Sequence, residues 1–140
     1  MEVYFKEITV FRILNNGAEM GLEERLGILR SGGVISPGIE TLVLRIISRF
    51  RDHWKIVLTE ENGGRMVTHL AMALMRISRG EEISGPETDA LEEFRNLDVF
   101  PLSVEILEDI IVWAPMDLPK TEKDYMIVNI CLILDAQYDR

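Results

Sequence analysis

Apolar residues recur along most of the chain at helical spacing. Ile39, Leu42, Val43, Ile46, Ile47 and Phe50 stand at i, i+3, i+4, i+7, i+8 and i+11, a stripe down one side of a helix. Ser36-Pro37 supplies the start, an N-cap followed by proline at the first helical position, and the stripe carries the helix to about Arg51. A second stripe of Met66, Val67, Leu70, Ala73, Leu74 and Ile77 predicts a helix from near Arg65 to Gly80, where a terminating glycine belongs. Between the two, residues 52–64 read as a linker, with Glu60-Glu61 followed by the breaker Asn62-Gly63-Gly64.

Ser84-Gly85-Pro86 opens a third helix, about 87–97, that turns Leu91 and Phe94 inward. Pro101 and Ser103 open a fourth, Val104 to Trp113. It stops at Ala114-Pro115 because a residue before proline avoids helical backbone. Thr121-x-x-Asp124 has the form of a capping box for a last helix carrying Tyr125, Val128, Leu132 and Ile133. Near the start, Leu22, Leu26 and Leu29 predict a short helix closed by Gly32-Gly33. Tyr4, Ile8 and Phe11 suit a helix, although Val3/Phe5 and Ile8/Val10 also suit a strand; the segment is read as helical. The predicted architecture is all-α.

Composition narrows the class. Hydrophobic residues make up 47% of 140 positions, enough for one domain to bury a core without disulfides or metals. The single cysteine, Cys131, forms no internal disulfide and lies among Ile130, Leu132 and Ile133 as a small core residue. The opening Met1-Glu-Val-Tyr-Phe-Lys lacks the basic region and cleavage site of a secretion signal. No apolar run approaches the ~18 residues of a membrane span, so a cytoplasmic location without membrane contact is expected.

Charge is uneven. Residues 1–80 hold 11 Lys/Arg and 9 Asp/Glu, whereas residues 81–140 hold 4 and 15, for a net charge of −9. An acidic chain with no cluster of five basic residues repels a phosphate backbone, and direct nucleic-acid binding is not expected.

Candidate chemistry is sparse. HExxH, CxxC, the P-loop and GxGxxG are absent, and two histidines with one cysteine are thin material for a metal site. No cofactor or metal is expected. The acid pairs Glu60-Glu61, Glu81-Glu82 and Glu92-Glu93 are sequence neighbours that point apart on a helix, which makes them solvated faces rather than acid/base dyads. Trp54 and Trp113 end apolar stretches and read as core anchors, and Met66, Met72 and Met75 as packing. His53, just past a helix end, is explained by the helix dipole.

His69 is different. On the helical wheel it lies roughly 100° from the centre of its apolar stripe. Arg65 at i−4 and Arg76 at i+7 share that edge within about 40°. Two neighbouring cations discourage protonation, leaving a ring nitrogen able to take a phosphoryl group whose oxygens the arginines would bind. A boundary histidine satisfied by one hydrogen bond is the plainer reading of the same wheel.

The stretch Met66-x-x-His69-Leu70-x-x-Ala73-Leu74-x-Arg76-Ile77-x-x-Gly80 resembles the first histidine-bearing helix of the phosphotransferase-system regulation domain, the PRD. Glu122-x-x-Tyr125-Met126-Ile127-Val128-x-Ile130 is similar to that domain's last helix, and Leu118-Pro119 to the turn before it. The likeness spans about residues 38–136. It implies a five-helix regulatory module, usually dimeric, that sugar-transport phosphocarriers phosphorylate on histidine to control transcription or antitermination. It assigns His69 as the phosphorylation site, Arg76 as the arginine that follows it, and Asn129 as the residue standing where a second histidine falls.

The resulting expectation is a compact five-helix PRD-like bundle over residues 38–140, with a helical extension over residues 1–37. It is expected to act as a dimeric, non-enzymatic regulator of carbohydrate metabolism, with Arg65, Arg76 and Asn129 supporting the phosphate on His69. Two other classes remain at this point: a phosphorylation-silent interaction module, favoured by Asn129, and a small enzyme, disfavoured by the acid/base inventory.

Overall fold

The computed structural model describes residues 21–81 and 90–138. Among these the chain forms five α-helices, one 3-10 turn and no strand. They are α1 (Leu22–Ser31), α2 (Pro37–Asp52), α3 (Glu60–Ser78), the 3-10 turn Ala90–Glu93, α4 (Phe100–Trp113) and α5 (Lys120–Tyr138). The all-α bundle is therefore the observed class. The expected helix through Tyr4, Ile8 and Phe11 and the opening at Ser84-Gly85-Pro86 lie outside the described residues.

The helices share one core. α3 lies against α1, α2 and α5, while α4 packs on α2 and α5, and the 3-10 turn covers α5. The α2 stripe buries Ile39, Val43, Ile46 and Phe50, and α3 buries Met66, Val67, Leu70, Ala73 and Leu74. From α4 come Ile106, Leu107 and Ile110, and from α5 Met126, Ile127, Ile130, Cys131, Ile133 and Leu134. Each fully buried large side chain contributes roughly 1.5–3 kcal/mol, so these seams, rather than helix propensity, hold the bundle.

The helix ends explain why these segments stop where they do. Ser36 accepts a hydrogen bond from the Ile39 amide at 3.2 Å, the N-cap its sequence predicts. Gly33 and Gly80 both take positive φ, 76° and 74°. At each, the glycine amide and the next one fold back on the helix (Gly33 to Arg30 and Val34 to Leu29, Gly80 to Ile77 and Glu81 to Arg76), the paired closure of a Schellman motif.

Several expectations need correction. The linker over residues 52–64 is shorter, because Thr59 caps α3 in a reciprocal box with Asn62. Gly63 and Gly64 are buried helical residues, not a breaker. They sit where a Cβ would press, at 3.2–3.3 Å, on Leu58 or on the Glu60 carboxyl. The segment 87–97 forms, in its described part, a 3-10 turn and bends, though Leu91 is buried and Phe94 packs on the core as expected. α4 begins at Phe100, so Ser103 is a buried helical residue whose hydroxyl donates to the Val99 carbonyl at 2.9 Å. At α5 no capping box forms: the Thr121 hydroxyl is buried without a partner among the described residues, Asp124 accepts from Lys120, and Leu132 faces out.

Candidate functional site

His69 stands on α3, and α3 is fixed at both ends and along its length. The Thr59–Asn62 box and an Asn62 amide bond to the Val57 carbonyl set its start. Arg25 of α1 pairs with Glu60 and donates to the Thr68 hydroxyl at 3.1 Å, next to His69 in sequence. This anchoring holds the imidazole in place against α5.

Across the seam, α5 begins just after Leu118-Pro119, with the Glu122 and Lys123 amides both bonded to the Pro119 carbonyl. Glu122 is in its first turn, where the helix dipole favours a carboxylate. Its side chain is only 10% exposed, and its Oε2 lies 2.7 Å from His69 Nε2. Tyr125, one turn further along α5, stacks on the imidazole with ring centroids 4.0 Å apart and planes 28° from parallel. The His69 side chain keeps 41% of its surface in solvent. An ionised carboxylate only accepts, so His69 Nε2 is the donor of this bond. Nδ1 bonds to no described residue.

The other sequence-predicted residues fall around this pair rather than in contact with it. Arg65 and Arg76 are exposed on α3 and form no ion pair among the described residues. Asn129 is half-buried, and its amide donates to the Tyr125 carbonyl of its own helix at 2.8 Å, with no bond to His69. Glu122 and Tyr125 are the partners that sequence reasoning missed as site residues. Their i, i+3 spacing, with an acid on an otherwise apolar helix face, was the available signal.

A second polar cluster lies between α2 and α4. Arg49 Nε and Nη2 donate to the two oxygens of Asp109 at 3.0 and 2.8 Å, and Trp54 Nε1 donates to the same carboxylate at 2.8 Å. The Arg49 guanidinium hydrogen bonds hold the Asp109 carboxyl at about 2, below its ordinary 3.8. Arg49 and Arg45 stack over the Trp113 ring at 4.5 and 5.5 Å. Trp113 is thus a half-exposed platform for two guanidiniums and not the core anchor expected of it. Cys131 is buried as expected, and burial pushes its thiol up, away from the thiolate that reactivity requires. No described helix is long and apolar enough to cross a membrane, and no group of three metal-ligating side chains forms among the described residues.

The described helices form an all-helical bundle that presents a half-exposed histidine from one helix against a buried acid from another. The PRD domain family model matches residues 44–130, and the chain belongs to that family, a family of regulatory domains. The chain is 28% identical over 104 residues to an uncharacterized protein of Haemophilus influenzae, covering 74% of this chain and 83% of that protein. It is 26% identical over 109 residues to the uncharacterized protein YhfY of Escherichia coli, covering 78% and 91% respectively. No solved structure matches significantly.

Proposed function

We propose that the protein is a stand-alone PRD regulator, cytoplasmic and dimeric, whose state is set by phosphorylation of His69 from phosphotransferase-system carriers. Residues 38–140 form the regulatory module, and residues 1–37 extend it. Its output is control of transcription or antitermination in carbohydrate metabolism, exerted through a protein partner and without catalysis or direct nucleic-acid contact. The observation that carries this is the half-satisfied imidazole: Nε2 is committed to Glu122, while Nδ1 is unbonded among the described residues, on a helix that also carries the exposed Arg65 and Arg76.

Of the two arginines, Arg65 is the better placed. Arg65 is one turn from His69, about 6 Å along the helix axis. Arg76, seven residues on, lies about 10 Å further along the axis. A phosphoryl group of about −2 charge adds charge-assisted bonds to such guanidiniums and biases the dimer between arrangements. Asn129 favours the alternative of a phosphorylation-silent module, because its amide is tied to its own helix where the family pattern has a second histidine.

Incubation with phosphoenolpyruvate and the general phosphotransferase proteins, followed by intact mass at alkaline pH, separates the two. One phosphoryl addition, absent in His69→Gln, together with a changed sedimentation coefficient, is expected. No addition with any carrier would leave the silent module standing.

A further inference from the structure

Which ring nitrogen takes the phosphoryl group follows from what Glu122 does. We infer that the reactive atom of His69 is Nδ1, and that Glu122 is the positioning residue that makes it so. The inference rests on the proposal that His69 is phosphorylated, and adds the regiochemistry of the site and the direction of the switch.

The carboxylate at 2.7 Å holds the ring hydrogen on Nε2, and the Tyr125 ring stacked on the imidazole restricts its rotation. The lone pair therefore sits on Nδ1. In the transfer, the P–N bond of a phosphohistidine donor breaks and its electron pair returns to the donor nitrogen. The Nδ1 lone pair of His69 forms the new P–N bond. No proton has to leave: the hydrogen stays on Nε2, and the ring becomes a cation facing the Glu122 carboxylate. Attack through Nε2 would instead break the bond to Glu122, move a proton, and set phosphate oxygens against a carboxylate that is only 10% exposed.

The consequence runs against simple repulsion. A cationic ring bound to Glu122 makes a stronger, charge-assisted bond than a neutral one. Phosphorylation thus tightens the seam between α3 and α5 instead of prising it apart.

The proton environment of the two nitrogens makes the test direct. Nδ1 is flanked by Cε1–H and a hydrogen-free Cγ, whereas Nε2 is flanked by Cε1–H and Cδ2–H. A 1H–31P correlation spectrum of the phosphorylated full chain therefore shows one imidazole proton for the Nδ1 isomer and two for the Nε2 isomer. The sample is prepared twice, once with the phosphotransferase carriers and once with phosphoramidate, whose P–N bond breaks with ammonia leaving. A His53→Gln background leaves His69 as the sole imidazole.

One correlated proton in both preparations is expected, with an isomer ratio above roughly tenfold, the scale of a charge-assisted hydrogen bond. Glu122→Gln, whose amide can either donate to or accept from Nε2, should lower that ratio and bring in the second proton. Two correlated protons in the unsubstituted site would overturn the inference and leave the proposed function intact. One proton with phosphoramidate but no transfer from any carrier would uphold the regiochemistry and overturn the proposed function. An isomer ratio unmoved in folded Glu122→Gln would remove Glu122 from the role.

Discussion

The molecule has two polar clusters at helix seams, and they are built to opposite ends. Between α2 and α4, Asp109 accepts three hydrogen bonds from Arg49 and Trp54, and Arg49 lies on Trp113 as well. Between α3 and α5, His69 makes one hydrogen bond and one ring contact, and keeps a nitrogen unbonded among the described residues. Both clusters combine ionisable groups with aromatics, so residue type does not tell them apart. What differs is spare valence. A cluster whose groups are all paired ties helices together and offers nothing to a ligand, while the half-paired one keeps a ring nitrogen unbonded among the described residues.

Exchanging the roles of the two clusters is the sharpest way to break that contrast. His69→Gln retains a donor for Glu122, so it should lose phosphoryl incorporation entirely while changing stability by less than about 1 kcal/mol. Asp109→Asn should do the reverse. Incorporation stays at the unsubstituted level, while urea denaturation shows a loss of about 1–2 kcal/mol, the worth of the impaired hydrogen bonds to Arg49 and Trp54. A variant of either kind that moved both readouts would show the clusters to be coupled.

Acid sharpens the contrast further. Asp109 titrates at about 2 in the fold against an ordinary 3.8, held down chiefly by the Arg49 hydrogen bonds. A carboxyl depressed by folding stabilises above its unfolded value and loses that contribution as pH falls through the folded one. Stability should therefore decline between roughly pH 4 and 2, and the Asp109→Asn protein should show a shallower decline over that window in urea titrations at stepped pH. Salt should weaken the same contribution, because the cluster is partly open to solvent.

The smallest effect is expected at Gly64. A Cβ there meets the Glu60 carboxyl at 3.2 Å, the flexible end of a side chain paired with Arg25. Gly64→Ala gains up to about 1 kcal/mol of helix propensity and loses part of that by shifting Glu60. The net change by thermal denaturation should stay within about 1 kcal/mol of zero.

How far the chain could be read in advance tracks how local the cause is. The stripes of α2 and α3, the Ser36 cap and the two terminating glycines were all legible because they depend on neighbours within a turn. The start of α3 was not. Asn62-Gly63-Gly64 reads as a breaker until Leu58 and Glu60 fold over glycines that have no side chain to obstruct them. The face of α5 was also misread at Leu132, because apolar residues surround that helix and only its contacts with α3, α4 and the 3-10 turn select the buried side.

The site divides the same way. His69 between Arg65 and Arg76 is visible on one helical wheel. Its pairing with Glu122 crosses 53 residues of sequence and exists only once α3 and α5 pack. Even so, Glu122-x-x-Tyr125 carried half of that information, since i, i+3 spacing already places the acid and the ring on one face.

The most direct measurement is localisation of the phosphoryl group after reaction with the phosphotransferase carriers. It would use peptide mass spectrometry under alkaline conditions, to spare the acid-labile P–N bond. The chain has only two histidines, His53 and His69, so the assignment is binary. The phosphoryl group should be confined to the peptide bearing His69, at one per chain. Its presence on His53, or its absence from both, would contradict the assignment of His69 as the switch.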